Sequence, residues 1–239
     1  EGAPIVSVSS RTADGLAQLR LELGKIAAAV VGRPMDGLPR LPIDRAFTVK
    51  GFGTVVTGTQ VSGRIGHDTE LLLLPSEKSV RVRGLQVHGE PTKTSLAGQR
   101  VAVNLSGVEV EGLRRGDTLT TPGSMSRTTR IDCQVALLKG ARELKYGARV
   151  RLHQGTTEVM ARIAIGPNCD AVEGDAHQYP STLAPGVRTF VRLHLERPVA
   201  VTRDDRFVLR TYSPPVTVAG GVVLDPHPGD GRLRTNSGL

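Results

Sequence analysis

From about residue 44 to residue 225 the chain is almost nothing but short β-branched runs, each closed by Gly, Pro, Asp or Asn. The runs "AFTVK", "TVVTGT", "TELLLLP", "SVRVRG", "QRVAVNLSG" and "GDTLT" form a first set. After "TPGSMS" a second set follows: "TTRIDCQVALL", "ARVRLHQG", "TEVMARIAI", "VRTFVRLHL", "RFVLRT" and "VTVAGGVVL". Alternation of period two over four to eight residues, with a turn signal after each run, leaves little room for helices. It predicts strands joined by tight turns, closed into small antiparallel barrels. Two sets predict two consecutive barrels, 38–124 and 125–226, with no sequence repeat between them. Residues 227–239, polar and rich in Gly and Pro, read as a flexible tail.

The front of the chain reads differently. "PIVSV" at 4–8 has the look of a short buried strand, and "SSRTADG" of a polar loop. Leu16, Leu19, Leu23, Ile26 and Val30 then recur at helical spacing, with Asp14 as the N-cap. Strand, loop and helix over 1–33 would be the closing unit of an α/β domain. The segment 31–42 carries three prolines and two glycines and reads as a linker. The chain begins without Met and partway into a strand-like run, so a piece of a longer protein is expected.

Composition narrows the class. With 239 residues, 38% hydrophobic and 23% charged, two packed domains are feasible. No apolar run approaches the roughly 20 residues of a membrane span, and the N-terminus lacks the basic and apolar regions of a signal peptide. Two cysteines, Cys133 and Cys169, fit reduced structural thiols in the cytoplasm. Six scattered histidines without HExxH or CxxC argue against a metal centre. The net charge is +8; residues 38–124 hold 11 basic and 8 acidic side chains, and residues 125–239 hold 16 and 11. A basic surface fits a polyanionic partner, although a merely basic soluble protein would look the same. At 3% aromatics the chain is a poor stacker of unpaired bases, which leaves contact through phosphates.

Two motifs stand out. Gly51, Gly53 and Gly58 do not make a Rossmann fingerprint, because Val56 occupies the position of its third glycine and a strand follows instead of a helix. No GxxxxGK[ST] is present. These glycines fit bends at a barrel rim or a close backbone approach. Asp44–Arg45 stands at the mouth of a strand and on its own could be a solvated pair worth less than about 1 kcal/mol. "SVRVRGLQV" alternates so that Arg81 and Arg83 share one face.

Taken together, "LPIDRAFTVKGFGTVVTGTQVSGRI", "VRVRGLQV" and "AGQRVAVNLSGVEVEGLRRGDTL" resemble the second domain of translational GTPases of the elongation factor Tu type. More narrowly, the chain resembles the selenocysteine-specific elongation factors. "FVLRTYSPPVTVAGGVVLDP" is similar to the end of the third domain, and "PIVSVSSRTADGL" to the end of the GTPase domain, where Ser9 and Ser10 would match the last guanine-contacting motif. The resemblance implies a mainly β fold: two elongation factor Tu type barrels after a remnant of a GTPase domain. It implies a selenocysteinyl-tRNA partner delivered to the ribosome, with GTP and Mg2+ bound by the parent and no cofactor in this chain, since P-loop and switch regions would precede Glu1. Domains reading the mRNA selenocysteine insertion element would follow Leu239.

The same resemblance assigns a site. The general factor is acidic at both positions matching Asp44 and Arg45. An arginine at the second would favour a selenolate over the neutral hydroxyl of serine, with Arg83 as the second arginine and Arg81 as the fallback. Lys50, Gly51, Phe52, Gly53 and Thr54 would lie along the tRNA 3′ end, and Arg151, His153 and Gln154 would meet the tRNA stem. Competing readings are the barrels of another translational GTPase, either the general factor or the initiation factor gamma subunit, and a protein-binding barrel pair with no RNA role.

Overall fold

The computed structural model describes residues 3–30, 36–168, 180–231 and 233. The chain divides into two compact units, Glu1–Arg33 and Pro34–Leu239. In the first, helix α1 spans Leu16–Ala29 as its spacing predicts. Two local expectations fail. Residues 4–8 form no strand and Ile5 is fully solvent-facing, because a strand exists only through a hydrogen-bonded neighbour and this unit supplies none. The N-cap is Gly15 at φ +72°, not Asp14. A Cβ at Gly15 would sit 2.1 Å from the Ser7 carbonyl oxygen, so glycine is required there. The Asp14 carboxylate instead accepts the Thr12 hydroxyl at 2.5 Å.

The second unit holds both barrels. The first comprises β1 (Arg40–Val49), β2 (Gly53–Thr59), β3 (Arg64–Gly66), β4 (Glu70–Leu74), β5 (Lys78–Val87), β6 (Glu90–Thr92), β7 (Thr94–Leu96), β8 (Arg100–Ser106) and β9 (Thr118–Thr120). Antiparallel neighbours run β4-β9-β1-β2-β8-β5, and a β4–β5 pairing closes the ring; β6 adds to β5, and β3 pairs with β7. The period-two pattern turns Val56, Val82, Val103 and Leu105 inward with Leu41, Ile43, Leu71, Leu73 and Leu119, filling the barrel. Strand β1 starts inside the stretch expected to be linker. Leu41 and Pro42 are buried and pair with Leu119 and Thr118, because ring closure through β9 needs that extra length.

The second barrel comprises β10 (Thr128–Leu137), β11 (Leu144–Lys145), β12 (Arg149–Gln154), β13 (Thr157–Asn168), β14 (Thr182–Leu183), β15 (Arg188–Val199), β16 (Arg206–Thr211) and β17 (Thr217–Asp225). It closes in the order β10-β15-β13-β12-β16-β17, with β11 and β14 as a separate pair. Ile131, Val135, Leu152, Ile163, Leu193, Leu209 and Val223 fill it. Cys133 lies in this core, where burial pushes its thiol well above the usual range; Cys169 lies outside the described residues. The start of the expected flexible tail is docked. The Pro228 carbonyl accepts from Arg130 at 2.9 Å and the Gly231 carbonyl from Arg192 at 2.7 Å.

Among the described residues no sheet runs from one barrel into the other. They are joined by side chains. The buried Arg40 guanidinium donates to both oxygens of Asp205 at 2.8 and 2.7 Å and to the Thr202 hydroxyl at 3.0 Å. The buried Thr157 hydroxyl donates to the Gly116 carbonyl at 2.9 Å. Among the described residues no helix is long and apolar enough to cross a membrane.

Candidate functional site

The β1–β2 hairpin turns through Lys50, Gly51 and Phe52, with the Phe52 N–H donating to the Val49 carbonyl at 3.0 Å. Gly51 and Gly53 have φ +84° and +86°, and a Cβ on either would touch nothing. The turn therefore needs glycine for its backbone angle, and space is not the reason. Lys50 and Phe52 stand exposed on this rim, while the Thr54 side chain is buried beneath it.

At the other end of β1 the register slips. Ile43 faces Gly58, but Arg45 faces Thr57, leaving Asp44 as the extra residue of a β-bulge. A bulge bends its strand and re-aims its side chains, which is how Asp44 and the exposed Arg45 come to the outer surface together. Gly58 permits this. A Cβ there would lie 2.2 Å from the Pro42 carbonyl oxygen.

The partner of Asp44 is Arg100, the first residue of β8 and 56 positions away. The guanidinium donates to one carboxylate oxygen at 2.5 Å and to the other at 3.2 Å, and the Thr57 hydroxyl adds a third bond at 2.7 Å. Burial raises the Asp44 carboxyl, but the Arg100 and Thr57 hydrogen bonds and the Arg100 and Arg45 charges outweigh it. The group stays below its ordinary value and ionised. Arg45 makes no hydrogen bond among the described residues, so the cluster holds one carboxylate, two guanidiniums and one uncommitted positive charge at the surface.

Arg83 and Arg81 are elsewhere. Both lie exposed on β5, which β2 and β8 separate from β1 by three strand spacings, about 14 Å of sheet. Arg83 is itself the extra residue of a second bulge, between Val82 facing Leu105 and Gly84 facing Asn104. Neither makes a side-chain hydrogen bond or ion pair among the described residues. Arg100 escaped the sequence reading because "AGQRVAV" shows only a strand beginning with arginine; its meeting with Asp44 depends on the β1-β2-β8 register.

On the second barrel, Arg151 donates to Glu158 at 2.5 Å and to the Tyr212 carbonyl at 3.3 Å. Arg149, which the sequence reading left out, pairs with both oxygens of Glu196 at 2.7 Å. The two guanidiniums lie 4.8 and 5.6 Å from the Tyr212 ring centroid. His153 faces Glu158 across the sheet, and its buried Nε2 has no hydrogen-bond partner among the described residues. Burial lowers its pKa first, Glu158 opposes that, and Arg210 and Arg151 lower it further. Gln154 is half-buried at the end of this hairpin. In the first unit, the Ser9 hydroxyl accepts the Thr12 N–H at 3.2 Å, and Ser10 lies exposed in a turn. Among the described residues no group of His, Cys, Asp and Glu gathers as a metal ion would require.

Comparison with known proteins places both barrels. The family described as "Selenocysteine-specific elongation factor, beta-barrel domain" matches residues 129–230, and "Elongation factor Tu domain 2" matches residues 53–120. A selenocysteine-specific elongation factor of Desulfomicrobium baculatum is 37% identical over 227 residues, covering 95% of this chain and 34% of that protein. Its Escherichia coli counterpart is 32% identical over 221 residues, covering 84% and 32%. The fold is that of translation elongation factor SelB from Methanococcus maripaludis in its apo form, with TM-score 0.79 and 24% identity over 92% of this chain and 50% of that one. The chain thus spans about a third of the length of the curated relatives it matches.

Proposed function

The chain belongs to the selenocysteine-specific elongation factor family, and from that premise we propose that its barrels hold selenocysteinyl-tRNA, with Arg45 and Arg100 receiving the selenolate and Asp44 fixing the position of Arg100. The observation that carries this reading is the cluster at the β1 bulge: a carboxylate held by one arginine, with a second arginine unspent beside it. A selenolate brought within about 4 Å of Arg45 gains roughly 4 kcal/mol at an effective dielectric near 20, before desolvation takes back a share. The neutral hydroxyl of a seryl ester gains none of it. Asp44 keeps Arg100 from swinging away and offers an acceptor to the free α-amino group of the esterified amino acid. The exposed hairpin Lys50–Phe52 then fits the approach of the tRNA 3′ end, by its backbone and not by the buried Thr54 side chain.

Stem phosphates would meet Arg151, His153 and Gln154, with Arg149 and Arg210 beside them. The Glu158 and Glu196 partners are half exposed, so their ion pairs are weak enough to exchange for phosphate. The parent protein would use GTP and Mg2+ and act with the ribosome in the cytoplasm. No GxxxxGK[ST] occurs in these 239 residues, so no phosphate cradle of that kind is available here.

The test compares two ligands. Arg45→Ala and Arg100→Ala should each weaken selenocysteinyl-tRNA binding by about 1.5–3 kcal/mol, the range of a charge-assisted hydrogen bond, and leave seryl-tRNA nearly unchanged. Arg83→Ala should alter neither. Equal losses for both tRNAs would mean that these arginines grip the RNA backbone, and the pocket assignment would fall.

A further inference from the structure

Strand β1 keeps its register only as far as Ile43. Arg40, Leu41 and Pro42 pair with β9, and Ile43 still faces Gly58 on β2; the bulge falls on the next residue, Asp44. Where β9 ends, the turn 114–117 that leads into it continues as the neighbour of β1. The Ile43 N–H donates to the Asp117 carbonyl at 2.7 Å, and the Gly116 N–H donates to the Ile43 carbonyl at 2.9 Å. Ile43 is thus held from both sides immediately before the chain slips.

The turn is closed on itself and seated against the second barrel. The Arg114 N–H donates to the Asp117 carboxylate at 2.8 Å, and the Asp117 N–H to the Arg114 carbonyl at 3.0 Å. Asp117 is buried. Burial raises its carboxyl above the ordinary value, against the Arg114 hydrogen bond and the charges of Arg197, on β15, and of Arg114. Gly116 has φ +97°, and its carbonyl accepts the hydroxyl of Thr157, the buried first residue of β13. A Cβ on Gly116 would lie 2.9 Å from both Cα and Oγ1 of Thr157, so turn and strand are in direct contact. One residue on, the Glu158 carbonyl accepts from Arg197, which fixes the backbone of β13 at this point.

We propose that Thr157 and Asp117 are positioning residues for the Asp44–Arg45–Arg100 cluster: Thr157 of the second barrel holds Gly116, the turn holds Ile43, and Ile43 fixes where β1 bulges. The inference rests on the selenolate reading of that cluster, and both residues act through Ile43 and not on the ligand. The reason is the two-residue period of a strand. A slip of one residue at Ile43 would turn Arg45 toward the core, where Ala46 now packs. A smaller loosening would stretch the two Arg100–Asp44 hydrogen bonds, at 2.5 and 3.2 Å, and release the arginine that Asp44 aims. The second barrel thereby frames a pocket to which it contributes no side chain.

The experiment follows the backbone amide signals of the isotope-labelled whole chain by NMR, and then its affinity for selenocysteinyl-tRNA and seryl-tRNA. Thr157→Val removes the hydrogen bond and keeps the shape, and Thr157→Ser keeps the hydrogen bond. Asp117→Ala opens the turn from its other end and carries the test should Thr157→Val not fold, which thermal melting decides. The Asp44 and Arg45 signals should shift in Thr157→Val and Asp117→Ala and keep their native positions in Thr157→Ser. A hydroxyl that only stabilised the contact between barrels would lower the melting temperature and leave those signals in place. The ratio of selenocysteinyl-tRNA to seryl-tRNA affinity should fall about three- to tenfold in the two shifted variants, the yield of one lost hydrogen bond, and hold in Thr157→Ser. Unmoved Asp44 and Arg45 signals in the folded variants overturn the proposal, as does an unchanged ratio in them when Arg45→Ala lowers it. If Arg45→Ala leaves the ratio unchanged while the signals still move, the selenolate reading fails and the positioning of the bulge stands.

Discussion

Three ionisable side chains, the half-buried Asp44 and His153 and the more exposed His194, show how environment sets charge in this protein. Asp44 is stabilised as an anion by Arg100 and Thr57, while both imidazoles are held neutral by burial and by neighbouring arginines. The consequences for stability share a direction but not a window. The unfolded chain protonates its histidines near the ordinary value of 6.5, whereas the folded one resists to lower pH. Their contribution is therefore whole above pH 6.5 and is lost as pH falls below it. Asp44 contributes fully above 3.8 and loses its part only as pH falls through its still lower folded value. Denaturation midpoints in urea, followed from about pH 7.5 to about pH 5, should fall for the native chain, and the fall should be shallower in His153→Gln/His194→Gln. An unchanged slope in the double variant would show that neither imidazole is held neutral by the fold.

At the scale of the element, the glycines of the β1–β2 hairpin divide into two kinds. Gly51 sits in a turn at φ +84° with open space around it, and Gly58 sits in a strand against the Pro42 carbonyl. Gly51→Ala should cost about 1–2 kcal/mol, the strain of a left-handed residue. Gly58→Ala should cost more, because a Cβ 2.2 Å from a backbone oxygen forces β1 and β2 apart. It should also disturb the Asp44 bulge, so selenocysteinyl-tRNA binding should suffer in Gly58→Ala and survive in Gly51→Ala. Equal denaturation midpoints for the two variants would contradict this account of why each glycine is there.

At the scale of the whole molecule, the Arg40–Asp205 pair is the buried ion pair that helps couple one barrel to the other. Both side chains are largely buried, at 8% and 13% exposure, and Thr202 closes the network. Removing one member strands the other charge, a loss of about 3–5 kcal/mol, whereas replacing both with apolar residues of similar volume should be close to neutral. Calorimetry of Arg40→Ala should show the single transition splitting as the barrels unfold separately. A single, unshifted transition would mean that the 121–127 connection and Thr157 alone suffice to couple them.

Sequence alone determined that this is a two-barrel β protein. Alternation of period two is a local property, written in neighbouring residues, and it placed the long strands, while the glycines at Gly51–Gly53 read as bends at a barrel rim, where the structure has a hairpin turn. It also singled out Asp44 and Arg45 as a pair, but at the mouth of a strand, whereas they lie in the middle of β1. Only the tertiary structure decided which arginine meets Asp44, because that depends on how β1, β2 and β8 register around a closed ring with a bulge in it, and Arg100 lies 56 residues away. One slipped residue turns a side chain to the opposite face, so no count along the chain could have chosen Arg100 over Arg83. The same limit explains residues 4–8, strand-like in composition yet unpaired, and the early start of β1, drawn from an apparent linker into the ring by β9. A strand's existence and its partners are settled by hydrogen bonds between distant segments, and those are a property of the fold.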